Sequence, residues 1–160
     1  MRFTTPTPQS VNNQFIIIMI KLHQLLIKLN SLYIFYKSSH WLSNGINFYS
    51  QHKLFEELYQ DLDDEIDALA ELILAFDDKD DKLNSKCIAD ETAKIIKVTS
   101  SKFLENIKLA SEQELEIIEL IDSIKADSIS AGIYNHLCSI AQNHSRNAYL
   151  LSRIDDNTRN

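Results

Sequence analysis

HWLSNGINFYSQHKLFEELYQDLDDEIDALAEL, residues 40–72, carries the reading that decides the fold of this chain. Five side chains able to bind a metal fall in it at disciplined intervals: His40, His52, Glu56, Asp67 and Glu71. Residues four apart share a helix face, so His52 with Glu56 forms one coordinating pair and Asp67 with Glu71 a second. Leu54, Leu58, Leu62, Ile66, Leu69 and Ile73 recur at three-and-four spacing through the same stretch. That period predicts one helix over residues 50–76, with Ser50 as its N-cap. Imidazole mixed with carboxylate suits iron or manganese better than a thiolate-seeking metal.

Helix geometry sharpens this. At a rise of about 1.5 Å per residue, Glu56 and Asp67 stand about 16 Å apart on a straight helix, whereas a metal–oxygen bond spans only about 2 Å. The two pairs therefore cannot grip one ion within a single rod. The remaining helices offer Glu114, Glu116, Glu119 and His144 but no Glu-x-x-His pair, the motif that single-chain di-iron bundles use twice. The expected site is intersubunit: His52 and Glu56 of one chain meet Asp67 and Glu71 of a two-fold mate. His40 joins the first pair when the turn through Gly45 folds the chain back. Trp41 then stands beside the metal and excludes water.

Outward from this stretch the chain reads as helices. Leu22, Leu25, Leu26, Leu29, Leu32, Tyr33 and Tyr36 make an apolar stripe that predicts a first helix over residues 13–40. Residues 1–12, with both prolines and many Ser, Thr and Asn, read as a flexible N-terminal tail, and 155–160 as a C-terminal one. DDKDDK, residues 77–82, reads as a polar connector. A third helical region is expected from Ala89 past Leu109, on Ile95, Ile96, Val98, Phe103, Leu104 and Ile107. It extends or restarts at Ser111, read as an N-cap with Glu114 in the capping-box position. Residues 127–130 read as the next break. A last helix over 130–154 carries Ile133, Leu137, Ile140, Ala141, Tyr149 and Leu150. The expected architecture is all-α, a four-helix bundle over residues 13–154 with one long crossover connection.

Composition bounds the function. The 160 residues make one domain, 44% hydrophobic, with two Gly and two Pro, too few to turn a many-stranded sheet. A net charge of −7 disfavours DNA, whose binding rests on Lys and Arg displacing counterions. Cys87 and Cys138 are too few for a disulfide framework; they fit a reducing cytoplasm and read as buried small apolar residues. The apolar run at residues 15–20 is interrupted by Lys21, His23, Gln24 and Lys28 before it reaches a membrane-spanning length, and no cleavage site follows. Met19 is an alternative start to Met1. His23, His136 and His144 lie outside the ligand pattern and read as structural or exposed. Asp122 and Asp127 read as solvated acids rather than as the lining of an ion-entry pore.

At the ligand residues the chain resembles the family of DNA-protection-during-starvation (Dps) proteins, the mini-ferritins. His40 and Trp41 match its His-Trp at the end of the first helix, Gly45 its turn glycine and His52 its second histidine. Phe55, Glu56 and Tyr59 match the acidic pair with a tyrosine close behind, and Asp67 with Leu69, Ala70 and Glu71 the Asp-x-x-Ala-Glu motif. The likeness covers residues 22–74 well and the last helix more loosely. It implies a ferritin-like fold and a homo-oligomer, a dimer at least and a hollow dodecamer in the family. It also implies a dinuclear iron site at each two-fold interface, where Fe(II) is oxidised by hydrogen peroxide or O2 and the ferric product is stored. The chain departs from the family with Leu72 where Arg is common, with DDKDDK in place of a Gly- and Pro-containing segment, and with no recognisable signature over 82–128. Residues 1–20 hold only Arg2, unlike the Lys-rich tails of DNA-binding members. Two other functions remain open from the sequence: DNA shielding, and a bundle with an idle site that acts as a structural module.

Overall fold

The computed structural model describes residues 8–76, 81–124 and 129–156. Five α-helices run in the order α1 (Pro8–Leu42), α2 (Phe48–Phe76), α3 (Ser85–Ile95), α4 (Phe103–Asp122) and α5 (Ala131–Asp156), with no strand among the described residues. The expected all-α four-helix bundle is what is found, built from α1, α2, α4 and α5.

Cross-helix contacts fix the topology. Phe15 meets Phe76, Tyr33 meets Tyr59 and His40 meets His52, so α1 and α2 are antiparallel neighbours. Lys21 reaches the Ser123 carbonyl, Lys28 pairs with Glu116, and Ser38 bonds Thr99, so α1 also runs antiparallel to α4. Hence α2 and α4 are parallel, and the chain between them must travel the length of the bundle. This is the long crossover, and α3 lies on it against α1. The interior is laid down by Leu22, Leu25, Leu29 and Leu32 of α1 with Phe55, Leu69 and Ile73 of α2. Ile107 and Ile117 of α4 and Leu137, Ile140 and Leu151 of α5 complete it. α1 over Asn13–Leu42 is apolar and long enough to cross a membrane, but its leucine stripe is this core.

Several boundaries differ from expectation. α1 starts at Pro8, five residues before the expected Asn13; a proline suits a first helical position because its missing N–H has no partner to lose there. α2 starts at Phe48, and Ser50 is not its cap: the Ser50 hydroxyl donates back to the Asn47 carbonyl. The third helical region is two helices. α3 opens at Asn84, whose side chain accepts from Cys87 N, and stops at Ile95. The β-branched run Ile95, Ile96, Val98 and Thr99 is a poor helix former, which favours the extended connection. Buried Asn106 holds that connection, accepting from Ser100 N and donating to the Ser100 carbonyl, both at 2.8 Å. α4 then runs unbroken through Ser111, which is no N-cap, and Glu114 is no capping-box residue.

Val98, Leu104, Tyr149 and Leu150 are exposed, and Ala148 and Leu151 take the core positions at the end of α5. Both cysteines are exposed rather than buried. Cys87 sits on α3, a helix packed on one side only, and Cys138 follows the core residue Leu137 onto the outer face of α5. Residues 77–80 of the polar connector, and Asp127 with part of the expected break, lie outside the described residues.

The turn between α1 and α2 depends on Gly45, whose φ of +81° is in the left-handed region. A Cβ there meets nothing within 4 Å, so Gly45→Ala has no steric clash to answer for, only the backbone. We expect a loss of about 1 kcal/mol in urea unfolding.

Candidate metal centre

His40 closes α1 and His52 lies one turn into α2, and the Gly45 turn sets them face to face. Their rings stack with centroids 3.6 Å apart. The Nδ1 of His40 bonds the His52 carbonyl at 2.9 Å, and the Nδ1 of His52 bonds the His40 carbonyl at 3.1 Å. A carbonyl only accepts, so each Nδ1 carries a proton, and Nε2 is the ring nitrogen left to coordinate a metal. A hydrogen bond at the far nitrogen is what orients a metal-binding imidazole and fixes its tautomer. Tyr59 stands edge-on to His40 at 5.4 Å, and Phe48 backs His52 at 4.9 Å.

Glu56 follows one turn after His52. Its carboxylate takes Lys53 Nζ at 2.5 Å, and that hydrogen bond holds its pKa below the usual carboxylate value, with the nearby imidazoles adding to the effect. Asp67 and Glu71 are both exposed farther along the same unbroken helix. Trp41 is 67% exposed in the single chain. The fold thus joins His40 to His52, leaves Glu56 beside them, and holds Asp67 and Glu71 about 16 Å away along the helix axis. Among the described residues no group of three or more His, Cys, Asp or Glu side chains is placed to hold a metal ion within the single chain.

A second polar cluster lies in the middle of the bundle, and sequence reasoning passed over it. Tyr36 of α1 donates to Glu114 of α4, whose other oxygen accepts from His144 Nδ1 of α5. His144 Nε2 meets Glu65 of α2 at 3.1 Å, and Glu65 also accepts from Asn143 at 2.7 Å. Glu114 is 0% and His144 1% exposed. Each of the four bundle helices thus contributes a side chain to one chain of hydrogen bonds. The signal was register: Glu114 lies on the face of Ala110, Ile117 and Ile121, and His144 on that of Leu137, Ile140 and Leu151.

Both nitrogens of His144 face carboxylates, which ask for a donor at each, so the ring is an imidazolium. Burial alone would push its pKa down; the hydrogen bonds to Glu114 and then Glu65, reinforced by their charges, raise it to about 9. Burial, and then the Glu114 charge, hold the Tyr36 phenol well above its ordinary range. Because the folded-state pKa of His144 exceeds the unfolded value of 6.5, its contribution is complete below about pH 6.5 and fades as pH rises through about 9. We expect a stability loss on the order of 3 kcal/mol between pH 6 and pH 10 from this group. Urea titrations of wild type and His144→Leu across that range isolate it, since the variant should lack this part of the slope.

Compared with known proteins, residues 20–159 match the ferritin-like domain family. A Dps structure from Thermosynechococcus elongatus superposes with a TM-score of 0.81 at 20% identity, covering 91% of this chain and 94% of that one. A Dps protein from Vibrio cholerae O1, described as a member of a broad superfamily of ferritin-like diiron-carboxylate proteins, gives 0.64 at 19% identity over 96% and 98%. A DNA protection during starvation protein of Brevibacillus brevis is 46% identical over 44 residues, 28% of this chain and only 30% of that relative. The fold expected from the ligand residues is therefore the one these structures share.

Proposed function

The chain belongs to the ferritin-like domain family, and on that premise we propose that it is a cytoplasmic Dps-like ferroxidase and iron-storage protein. The carrying observation is the reciprocal pair of hydrogen bonds between His40 and His52, which occupies Nδ1 of both rings and leaves Nε2 of each as the coordinating nitrogen near Glu56. Fe(II) is the substrate. In this reading His40, His52 and Glu56 of one chain and Asp67 and Glu71 of a two-fold mate surround a dinuclear site, with Glu71 between the two ions. Two ferrous ions each give one electron to hydrogen peroxide; the O–O bond breaks, and two protons complete two waters. The carboxylates, hard oxygen donors, favour the ferric product.

Lys53 occupies Glu56 in the lone chain and has to release it when a cation arrives. Trp41, bared in one subunit, is covered by the mate and keeps water from the site. Such an assembly is a dimer at minimum and a dodecamer in the full reading, with ferric iron in its cavity and protection against peroxide stress as the outcome. An unbroken α2 supports it, because that helix keeps the two ligand pairs too far apart to act within one chain.

The test is direct: Fe(II) and peroxide are added and ferric absorbance is followed. His52→Ala/Glu71→Ala should lose the protein-dependent rate, and an equal rate in the double variant would sink the proposal. A second reading, an idle bundle with a structural role, draws on Leu72 and on the Lys53–Glu56 ion pair. Iron content after growth in iron-rich medium separates the two.

A further inference from the structure

A cavity of about 430 Å³ opens between α1, α4 and the C-terminal end of α3. Lys28 of α1, and Lys94 and Lys97 at and just beyond the end of α3, line it. In a protein of net charge −7, three lysines lining one concavity with a single carboxylate, Glu116, stand against the prevailing charge. The buried side chains of Ser31 and Gln113 add a hydroxyl and an amide, both able to donate to oxygen, and Ile95, Ile96 and Ile117 supply apolar walls. The volume is in the range of small-molecule sites.

We propose that this cavity binds a small multivalent oxyanion carrying phosphate or carboxylate groups. Lys97 makes no ion pair among the described residues, so its charge is available. Lys94 pairs with Glu91 at the surface, a contact that solvent screens. Lys28 is held by Glu116 at 2.5 Å, and Glu116 itself lines the cavity. Glu116 is thus the internal competitor: an arriving oxyanion takes Lys28 from it and is repelled by it. This gives two substitutions with opposite effects. Lys28→Gln/Lys97→Gln removes charge-assisted donors and should weaken binding by about tenfold or more, whereas Glu116→Gln removes the competitor and should tighten it several-fold.

The experiment is calorimetric titration of the full chain in its native assembly with inorganic phosphate and, separately, citrate, at constant ionic strength in chloride. All the substituted side chains are at least partly solvent-exposed, and thermal melts check that the variants stay folded. Saturable binding of either probe at one per chain, weaker in the lysine variant and tighter in Glu116→Gln, supports the site; the tighter probe assigns phosphate or carboxylate. No saturable binding of either probe, or an affinity that both variants leave unchanged, overturns it. The result does not depend on iron oxidation and is read in its absence.

Discussion

Glu114→Ala should cost about 3–5 kcal/mol in urea unfolding at neutral pH and fixed protomer concentration, the largest loss we expect from one substitution. Glu114 has no solvent exposure and is the middle member of the chain from Tyr36 to His144. Removing it strands a buried imidazolium with Glu65 as its one remaining carboxylate, and leaves the Tyr36 hydroxyl without its acceptor. It also opens a void in a packed interior. The control replaces the three most buried members together and leaves half-buried Glu65 to its Asn143 donor. Tyr36→Phe/Glu114→Met/His144→Leu exchanges polar for apolar groups of similar size, and such exchanges are often near neutral. A Glu114→Ala variant within 1 kcal/mol of wild type would show that the cluster contributes little.

The second large effect is functional complementation. Take one variant lacking the imidazole half, His40→Ala/His52→Ala, and one lacking the carboxylate half, Asp67→Ala/Glu71→Ala. Each alone should be inactive with Fe(II) and peroxide. Unfolded together and refolded at equal concentration, random pairing makes half the dimers mixed. Each mixed dimer has one intact site and one doubly damaged site, so about a quarter of all sites recover. A ligand set contained in one chain would recover nothing. If the separate variants retain full activity, the ligand assignment itself falls.

The sequence carried the bundle well because its signal is periodic. The leucines of α1 and the 58, 62, 69 and 73 positions of α2 are buried as their spacing requires. The connection between α2 and α4 was misread, since short amphipathic helices on a surface bury few residues. α3 buries only Thr92, so Ile95 and Val98 looked like core when they face outward. The candidate metal centre was legible as a set of residue types, but the mutual carbonyl bonds of His40 and His52 were not, because backbone acceptors leave no mark on residue type. Tyr36, Glu114 and His144 were each visible; what hid their union is that they come from helices far apart in sequence.

That separation has a kinetic side. α1 with α2, and α4 with α5, are hairpins whose closing contacts are near in sequence, such as His40 with His52. The links between the hairpins span much longer loops: 78 residues from Tyr36 to Glu114 and 79 from Glu65 to His144. Closing a long loop carries an entropic cost that must be met before its contacts form, which favours hairpins first and their docking second. Contacts made in the docking step are absent from the early nucleus, so damage to the central cluster shows up mainly as faster unfolding, with the refolding rate little changed. The polar centre of the bundle is then less a scaffold on which the chain assembles than a clasp that sets how long the finished subunit persists.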